Sequence, residues 1–152
     1  MPGGQDKPMD IFGAAWRDHP DKIRTAWQDV VTDDDVVLVP GDISWAMTLG
    51  EAEEDLAYLG SLPGRIIMIR GNHDYWWDGI GKVRRALPPN VSAIQNDHVL
   101  LTPEWAVWAD PGGMRRQTSR FTLASSCGCK CLWKARLKRV RGTLSSCCII
   151  HR

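Results

Sequence analysis

The sequence has no cysteine before Cys127 and no acidic residue after Asp110. Because the long cysteine-free part cannot be held by disulfides, it does not belong to the disulfide-rich secreted class. No apolar run approaches the ~18 residues that a membrane-spanning helix needs, and the chain does not open on a signal-peptide pattern. These absences predict a soluble, cytoplasmic protein that has no membrane partner.

Charge divides the chain into two unlike parts. The net charge is +1 over 152 residues, but residues 1–110 hold 9 basic and 18 acidic residues, and residues 111–152 hold ten basic residues and no acidic one. This second part also holds all five cysteines and shows no sustained helical or strand periodicity. We therefore predict one globular domain over residues 1–110, followed by a basic, poorly ordered tail over residues 111–152 that is not a domain.

Two functions are conceivable for the tail. Its cysteines, Cys127, Cys129, Cys131, Cys147 and Cys148, suggest a zinc site, but structural zinc prefers Cys-x-x-Cys spacing, so incidental cysteines are favoured. Its basic residues permit nonspecific contact with nucleic-acid phosphates, with Trp133 stacking on a base. Unselected basic sequence is the favoured alternative.

The globular part has the pattern of an α/β fold. Apolar spacing predicts one broken helix or two short ones over residues 10–31. Continuous apolar runs at 36–39 and 66–69 are typical of strands buried on both faces of a parallel sheet, and a capping-box pattern at 48–51 begins the helix between them. Further elements are predicted as a helix over 80–87, ended by Pro88, and strands over 91–94 and 99–102.

Polar loops directly follow both buried strands, as Gly41-Asp42 and as Gly71-Asn72-His73-Asp74. Since parallel strands end at one edge of a sheet, these loops are expected to lie together. A carboxylate that bridges two metal ions helps to generate hydroxide for attack on phosphorus, which makes Asp42 the candidate metal ligand. Asn72 offers a neutral oxygen to a second ion, His73 is the candidate proton donor, and Asp74 can hold its orientation. The alternative is ordinary turn chemistry.

These residues resemble the second and third motifs of the calcineurin-like metallophosphoesterases, Gly-Asp and Gly-Asn-His-Asp/Glu. The surrounding residues are similar to a bacterial subgroup of predicted phosphohydrolases, over roughly residues 6–108. The resemblance implies a sandwich of two β-sheets flanked by helices and a pair of Mn, Fe or Zn ions. It also implies a phosphate mono- or diester as substrate.

Other motifs of that family are not found in this sequence. Its opening Asp-x-His should precede Asp6, and its later histidines should follow the second loop, where only His98 and His151 occur. We therefore expect a partial metallophosphoesterase domain, truncated at the N-terminus and frame-shifted after about residue 108, with impaired activity and one ion or none. The alternative is a noncatalytic remnant with weak metal binding and nonspecific nucleic-acid contact through the basic tail. Uncovered sheet edges also predict self-association.

Three tryptophans flank the two loops, and their placement is open. Trp45 follows the first loop, and Trp76 and Trp77 follow the second. They either line a substrate cleft or cover the edge of the sheet. His98 is expected at the surface.

Overall fold

The computed structural model describes residues 13, 16–103, 105–110, 120–125 and 148–150. The helices are α1 (His19–Gln28), α2 (Leu49–Gly60) and α3 (Ile80–Ala86). The strands are β1 (Val36–Val39), β2 (Arg65–Met68), β3 (Val91–Ala93), β4 (His98–Thr102), β5 (Trp105–Asp110), β6 (Arg120–Ser125) and β7 (Cys148–Ile150). None of the helices in these ranges is long and apolar enough to cross a bilayer.

The strands form two sheets. In the first sheet, of order β3-β2-β1-β7, β1, β2 and β3 run parallel and β7 is antiparallel to β1. The second sheet is antiparallel, with order β4-β5-β6. The predicted β-α-β order is confirmed, and β1 and β2 are direct neighbours.

Successive side chains of β1 and β2 point to opposite faces of the first sheet, and both faces are apolar. Val37 and Ile66 face the helices and belong to a core cluster with Trp27 and Leu56. Leu38 and Ile67 belong to a second cluster, which includes Val107 of β5. The two sheets therefore pack on each other and helices cover the outer face of the first, as expected for a partial metallophosphoesterase sandwich.

Local signals explain where the helices begin. Pro20 lies in the first turn of α1, where its missing N–H costs nothing. Thr48 caps α2 by accepting a hydrogen bond from the Glu51 N–H at 3.4 Å. The Glu51 carboxylate accepts from the Met47 N–H at 2.9 Å, and this bond lowers the pKa of Glu51 from its ordinary value. The capping-box pattern therefore predicts the start of α2 correctly.

Two strands lie in the part of the sequence for which no strand was expected. β6 pairs with β5 from Trp105↔Ser125 to Asp110↔Arg120, and β7 pairs with β1 from Val36↔Ile150 to Leu38↔Cys148. Residues 120–125 and 148–150 of the predicted tail thus form strands that the sequence does not predict, while the prediction that the tail is not a domain stays a prediction. Each of these strands pairs with residues that lie outside its own segment of the sequence. Hydrophobic periodicity within a segment does not detect such pairing.

Several sequence-based predictions fall outside the described residues. They concern the start of the first predicted helix at residues 10–12, the tail residue Trp133, and the cysteines Cys127, Cys129, Cys131 and Cys147. The zinc and nucleic-acid interpretations of the tail stay predictions. Helix α1, at residues 19–28, matches the second of the two short helices considered.

Candidate functional site at the ends of two parallel strands

Two loops meet at the carboxyl edge of the first sheet. The first loop (residues 40–47) follows β1 and the second loop (residues 70–77) follows β2, its parallel neighbour. The structure thus places Asp42 of the first loop against Gly71, His73 and Asp74 of the second. The roles of Asp42, Asn72, His73 and Asp74 in metal binding and catalysis stay predictions.

Asp74 is fully buried and binds backbone groups of both loops. Its Oδ2 accepts hydrogen bonds from the N–H groups of Asp42 and Gly71, both at 2.8 Å. Its Oδ1 accepts from the Ile43 N–H at 2.7 Å and from the Trp76 indole N–H at 2.9 Å. Because charge-assisted hydrogen bonds are strong in a buried setting, this carboxylate fixes the distance between the loops.

These contacts give Asp74 a structural role that the sequence does not predict. Among the hydrogen bonds of the described residues, none joins the Asp74 carboxylate to the His73 imidazole. Asp74 acts on the backbone instead, and His73 is placed through its own N–H, which donates to Asp42 Oδ1 at 2.9 Å. The sequence singles out Asp74, but most of its partners are main-chain groups, which no pattern of side chains reveals.

The two loop glycines permit this close approach. Gly41 has φ +95°, and a Cβ on it would lie 2.1 Å from the Gly71 nitrogen. A Cβ on Gly71 would lie 2.2 Å from the backbone nitrogen of Asp42. The two loops therefore touch backbone to backbone, and only glycine fits at either position.

Asp42 adopts the left-handed region, with φ +56°, at the turn after β1. Aspartate tolerates this conformation better than most residues. The Asp42 and Asn72 side chains are both exposed at this edge, next to the exposed His73. The carboxylate and the amide thus lie on adjacent strand ends and remain open to solvent and ligand.

The His73 ring lies close to two exposed aromatic side chains. Its centroid is 5.8 Å from that of Trp45, with 42° between the planes, and 6.3 Å from that of Tyr75, in an edge-to-face arrangement at 81°. Trp45 is 50% exposed and Tyr75 is 55% exposed. Sequence analysis considered Trp45 but missed Tyr75, although Tyr75 directly follows the second motif.

The three tryptophans that flank the loops differ in their burial. Trp76 and Trp77 are 1% and 4% exposed, and both belong to the core cluster under the helices. The Trp77 indole N–H also donates to Gln95 Oε1 at 3.1 Å, which ties the second loop to the residues after β3. Trp76 and Trp77 are thus structural, whereas Trp45 stays at the surface beside His73.

The side chains at this edge supply only part of the ligand set that a single hard divalent ion needs. Asp42 and Asn72 supply one carboxylate and one amide oxygen, which suit such an ion. No group of three or more His, Cys, Asp or Glu side chains placed to hold a metal occurs within the ranges that the structure describes. A pair of ions needs more ligands than these residues provide.

No solved protein structure matches the chain. The Gene 66 protein of Mycobacterium phage L5 is 40% identical over 73 residues, which cover 47% of this chain and 35% of that protein. The chain thus spans about a third of that relative's length. The family model described as calcineurin-like phosphoesterase matches residues 10–141. This match extends over most of the sequence and includes both loops, so the chain belongs to the calcineurin-like phosphoesterase family.

Proposed function

We propose that the two loops form part of a metal-dependent phosphoesterase site, and that this chain hydrolyses phosphate esters with impaired efficiency. The family as a whole hydrolyses phosphate esters with the help of divalent metals. The observation that carries the proposal is the juxtaposition of Asp42, Asn72 and His73 on two strand ends, held in place by the buried Asp74.

Asp42 and Asn72 are the residues that would hold an ion. Their exposed oxygens lie at the same sheet edge, and carboxylate and amide oxygens favour Mn²⁺ over softer ions. An ion held by these two side chains would supply positive charge for the phosphate oxygens and would lower the pKa of a water molecule. The Asp42 carboxylate also accepts a hydrogen bond from the backbone N–H of His73. An ion bound by Asp42 would therefore lie next to the residue that carries the imidazole.

His73 is the group we assign to proton transfer. The imidazole is exposed next to the donor pair and can give a proton to the leaving oxygen of a phosphate ester. Asp74 supports this step indirectly, since its hydrogen bonds to Asp42 and Gly71 set the separation of the two loops.

Impaired efficiency follows from the small number of donors. The described residues provide two metal-binding oxygens, whereas the resemblance implies a dinuclear centre with several further ligands. The second candidate function, a noncatalytic remnant that binds metal weakly, rests on this same observation.

The test is hydrolysis of p-nitrophenyl phosphate and bis(p-nitrophenyl) phosphate by the full chain, with and without Mn²⁺. We expect slow, Mn²⁺-dependent turnover that falls at least about tenfold in Asp42→Asn and by roughly 10² or more in His73→Ala. Asp78→Asn is the matched control, because Asp78 is exposed and pairs with Lys82 away from the donor set. Folded protein without any turnover would establish the noncatalytic alternative.

A further inference from the structure

We propose that Trp45 and Tyr75 form a ring-binding subsite beside His73, and that the phosphate ester bound there carries a planar aromatic group such as a nucleobase. The inference rests on the proposed function, since it names the substrate class of the same site. It starts from an uneven distribution of exposed apolar side chains. The large hydrophobic residues that are exposed in the described ranges are Trp45, Met47, Tyr75, Leu100 and Trp108.

Three of these five residues lie in the two loops of the candidate site. Met47 is 63% exposed, and Trp45 and Tyr75 expose half or more of their surface. The same loops bury Trp76 almost completely, so exposure is not common to all the aromatic side chains of this region. Exposed apolar surface that clusters at one place on a monomer typically marks a binding site.

The position of the rings indicates which part of a substrate they contact. The centroid of the His73 ring lies 5.8 Å from that of Trp45 and 6.3 Å from that of Tyr75. If His73 protonates the leaving oxygen, the group attached to that oxygen must lie on the imidazole side of phosphorus. That side carries the two aromatic rings, so the leaving group is the part of the substrate that reaches them.

The chemistry of the subsite favours a flat ring over an aliphatic or charged group. Indole and phenol faces bind planar rings by stacking, and this contact tolerates any base because every base has a π-face. Both rings lie beside the same imidazole, Trp45 tilted at 42° to it and Tyr75 in an edge-to-face arrangement at 81°. Met47, on the same loop as Trp45, adds a polarisable side chain that adapts to aromatic partners.

Equilibrium binding of two ligands that share the same sugar phosphate tests the proposal without turnover. Adenosine 5′-monophosphate and ribose 5-phosphate are titrated calorimetrically into the full chain in the presence of Mn²⁺. We expect the nucleotide to bind about tenfold more tightly than the sugar phosphate, which corresponds to one stacked base. Trp45→Ala and Tyr75→Ala should each reduce this preference, and Trp45→Phe, which keeps a ring, should retain most of it.

Trp108→Ala is the matched control. Trp108 is 44% exposed and also contacts a histidine, His98, at 4.6 Å, but it lies on β5 of the second sheet. This variant should keep the full preference. Thermal melts of each variant verify that the chain is folded.

The outcomes separate this inference from the proposed function. Equal affinity for the two ligands, no binding of either, or a preference that survives both alanine variants overturns the subsite. Slow hydrolysis without nucleotide preference would leave the phosphoesterase proposal intact. A Trp45-dependent nucleotide preference in a chain without turnover would instead support the subsite and remove the catalytic proposal.

Discussion

At the scale of single residues, one buried carboxylate organises the candidate site. Asp74 is 0% exposed and binds N–H groups on both loops, while Asp42 and His73 remain at the surface. The exposed residues are therefore free to bind a ligand because a buried residue holds their backbones. Within these two short motifs, Asp74 is thus assigned to stability, whereas Asp42 and His73 are assigned to function.

Replacement of Asp74 by asparagine should destabilise the chain. An amide presents one oxygen and one NH₂ group, so at least one backbone N–H on the loops would face another donor. We expect a loss of roughly 2–4 kcal/mol in the free energy of unfolding, measured by urea denaturation. Asp78→Asn, at an exposed position beside Lys82, should leave the unfolding curve unchanged. Equal stability of the Asp74 variant and the wild-type protein would refute the role of this network.

Replacement of Gly71 by alanine should separate the two loops. The added methyl group would lie 2.2 Å from the Asp42 nitrogen, which belongs to the backbone and cannot rotate away. We expect the free energy of unfolding to fall by at least about 2 kcal/mol. Gly50→Ala is the control, since a Cβ at that helical position meets nothing within 4 Å, and its stability should be unchanged or slightly higher. Comparable curves for the two variants would contradict the close approach.

Some of this site can be predicted from the sequence and some cannot. An apolar run followed by a polar motif identifies Asp42 and Asn72 as residues at strand ends, because burial of a parallel strand leaves a local signature. The contacts of Asp74 with the first loop have no such signature, since these partners are backbone groups about thirty residues away. Likewise, nothing in the sequence alone separates Trp45, which is exposed, from Trp76, which fills the core.

At the scale of elements, α2 supports the site because it connects the two strands that carry the loops. Its first turn is held by the Thr48 hydroxyl and by the Glu51 carboxylate, which accepts from Met47 at the end of the first loop. The helix start and the first loop are thus one hydrogen-bonded unit. Thr48→Ala should destabilise the chain by about 1 kcal/mol, whereas Thr25→Ala, at an exposed position inside α1, should not.

The stability of this unit should depend on acid pH. The pKa of Glu51 is lowered, first by the hydrogen bond from Met47, so the folded state favours the carboxylate. Its contribution is present above the ordinary pKa of 4.5 and is lost as the pH falls through the lowered value. Unfolding measured along an acid series should show a smaller loss for Glu51→Gln than for the wild-type protein. Identical slopes in the two proteins would contradict this assignment.

At the scale of the whole molecule, a short strand from the end of the sequence covers one edge of the first sheet. β7 pairs with β1 through Val36↔Ile150, Val37↔Ile149 and Leu38↔Cys148. No hydrophobic periodicity over three residues predicts such a strand, which explains why sequence analysis missed it. Within the described residues, β3 and β7 form the edges of the first sheet.

Removal of residues 148–152 should therefore increase self-association. The deletion uncovers the backbone N–H and C=O groups of β1, and an exposed apolar edge is a template for pairing with another copy. Light scattering should show larger species than in the full chain, whereas removal of residues 151–152 alone should have no effect. The full chain itself is predicted to self-associate, and a monodisperse monomer at high concentration would contradict that prediction.

The central claim is that two parallel strand ends bring Asp42 and Asn72 together as donors for a divalent ion. Electron paramagnetic resonance of Mn²⁺ tests it directly, because the sharp spectrum of the free ion weakens when the ion binds to protein. We predict that the wild-type chain and Asp78→Asn reduce this signal equally, and that Asp42→Asn binds Mn²⁺ at least about tenfold more weakly. Equal Mn²⁺ binding by the wild-type chain and folded Asp42→Asn would contradict the account.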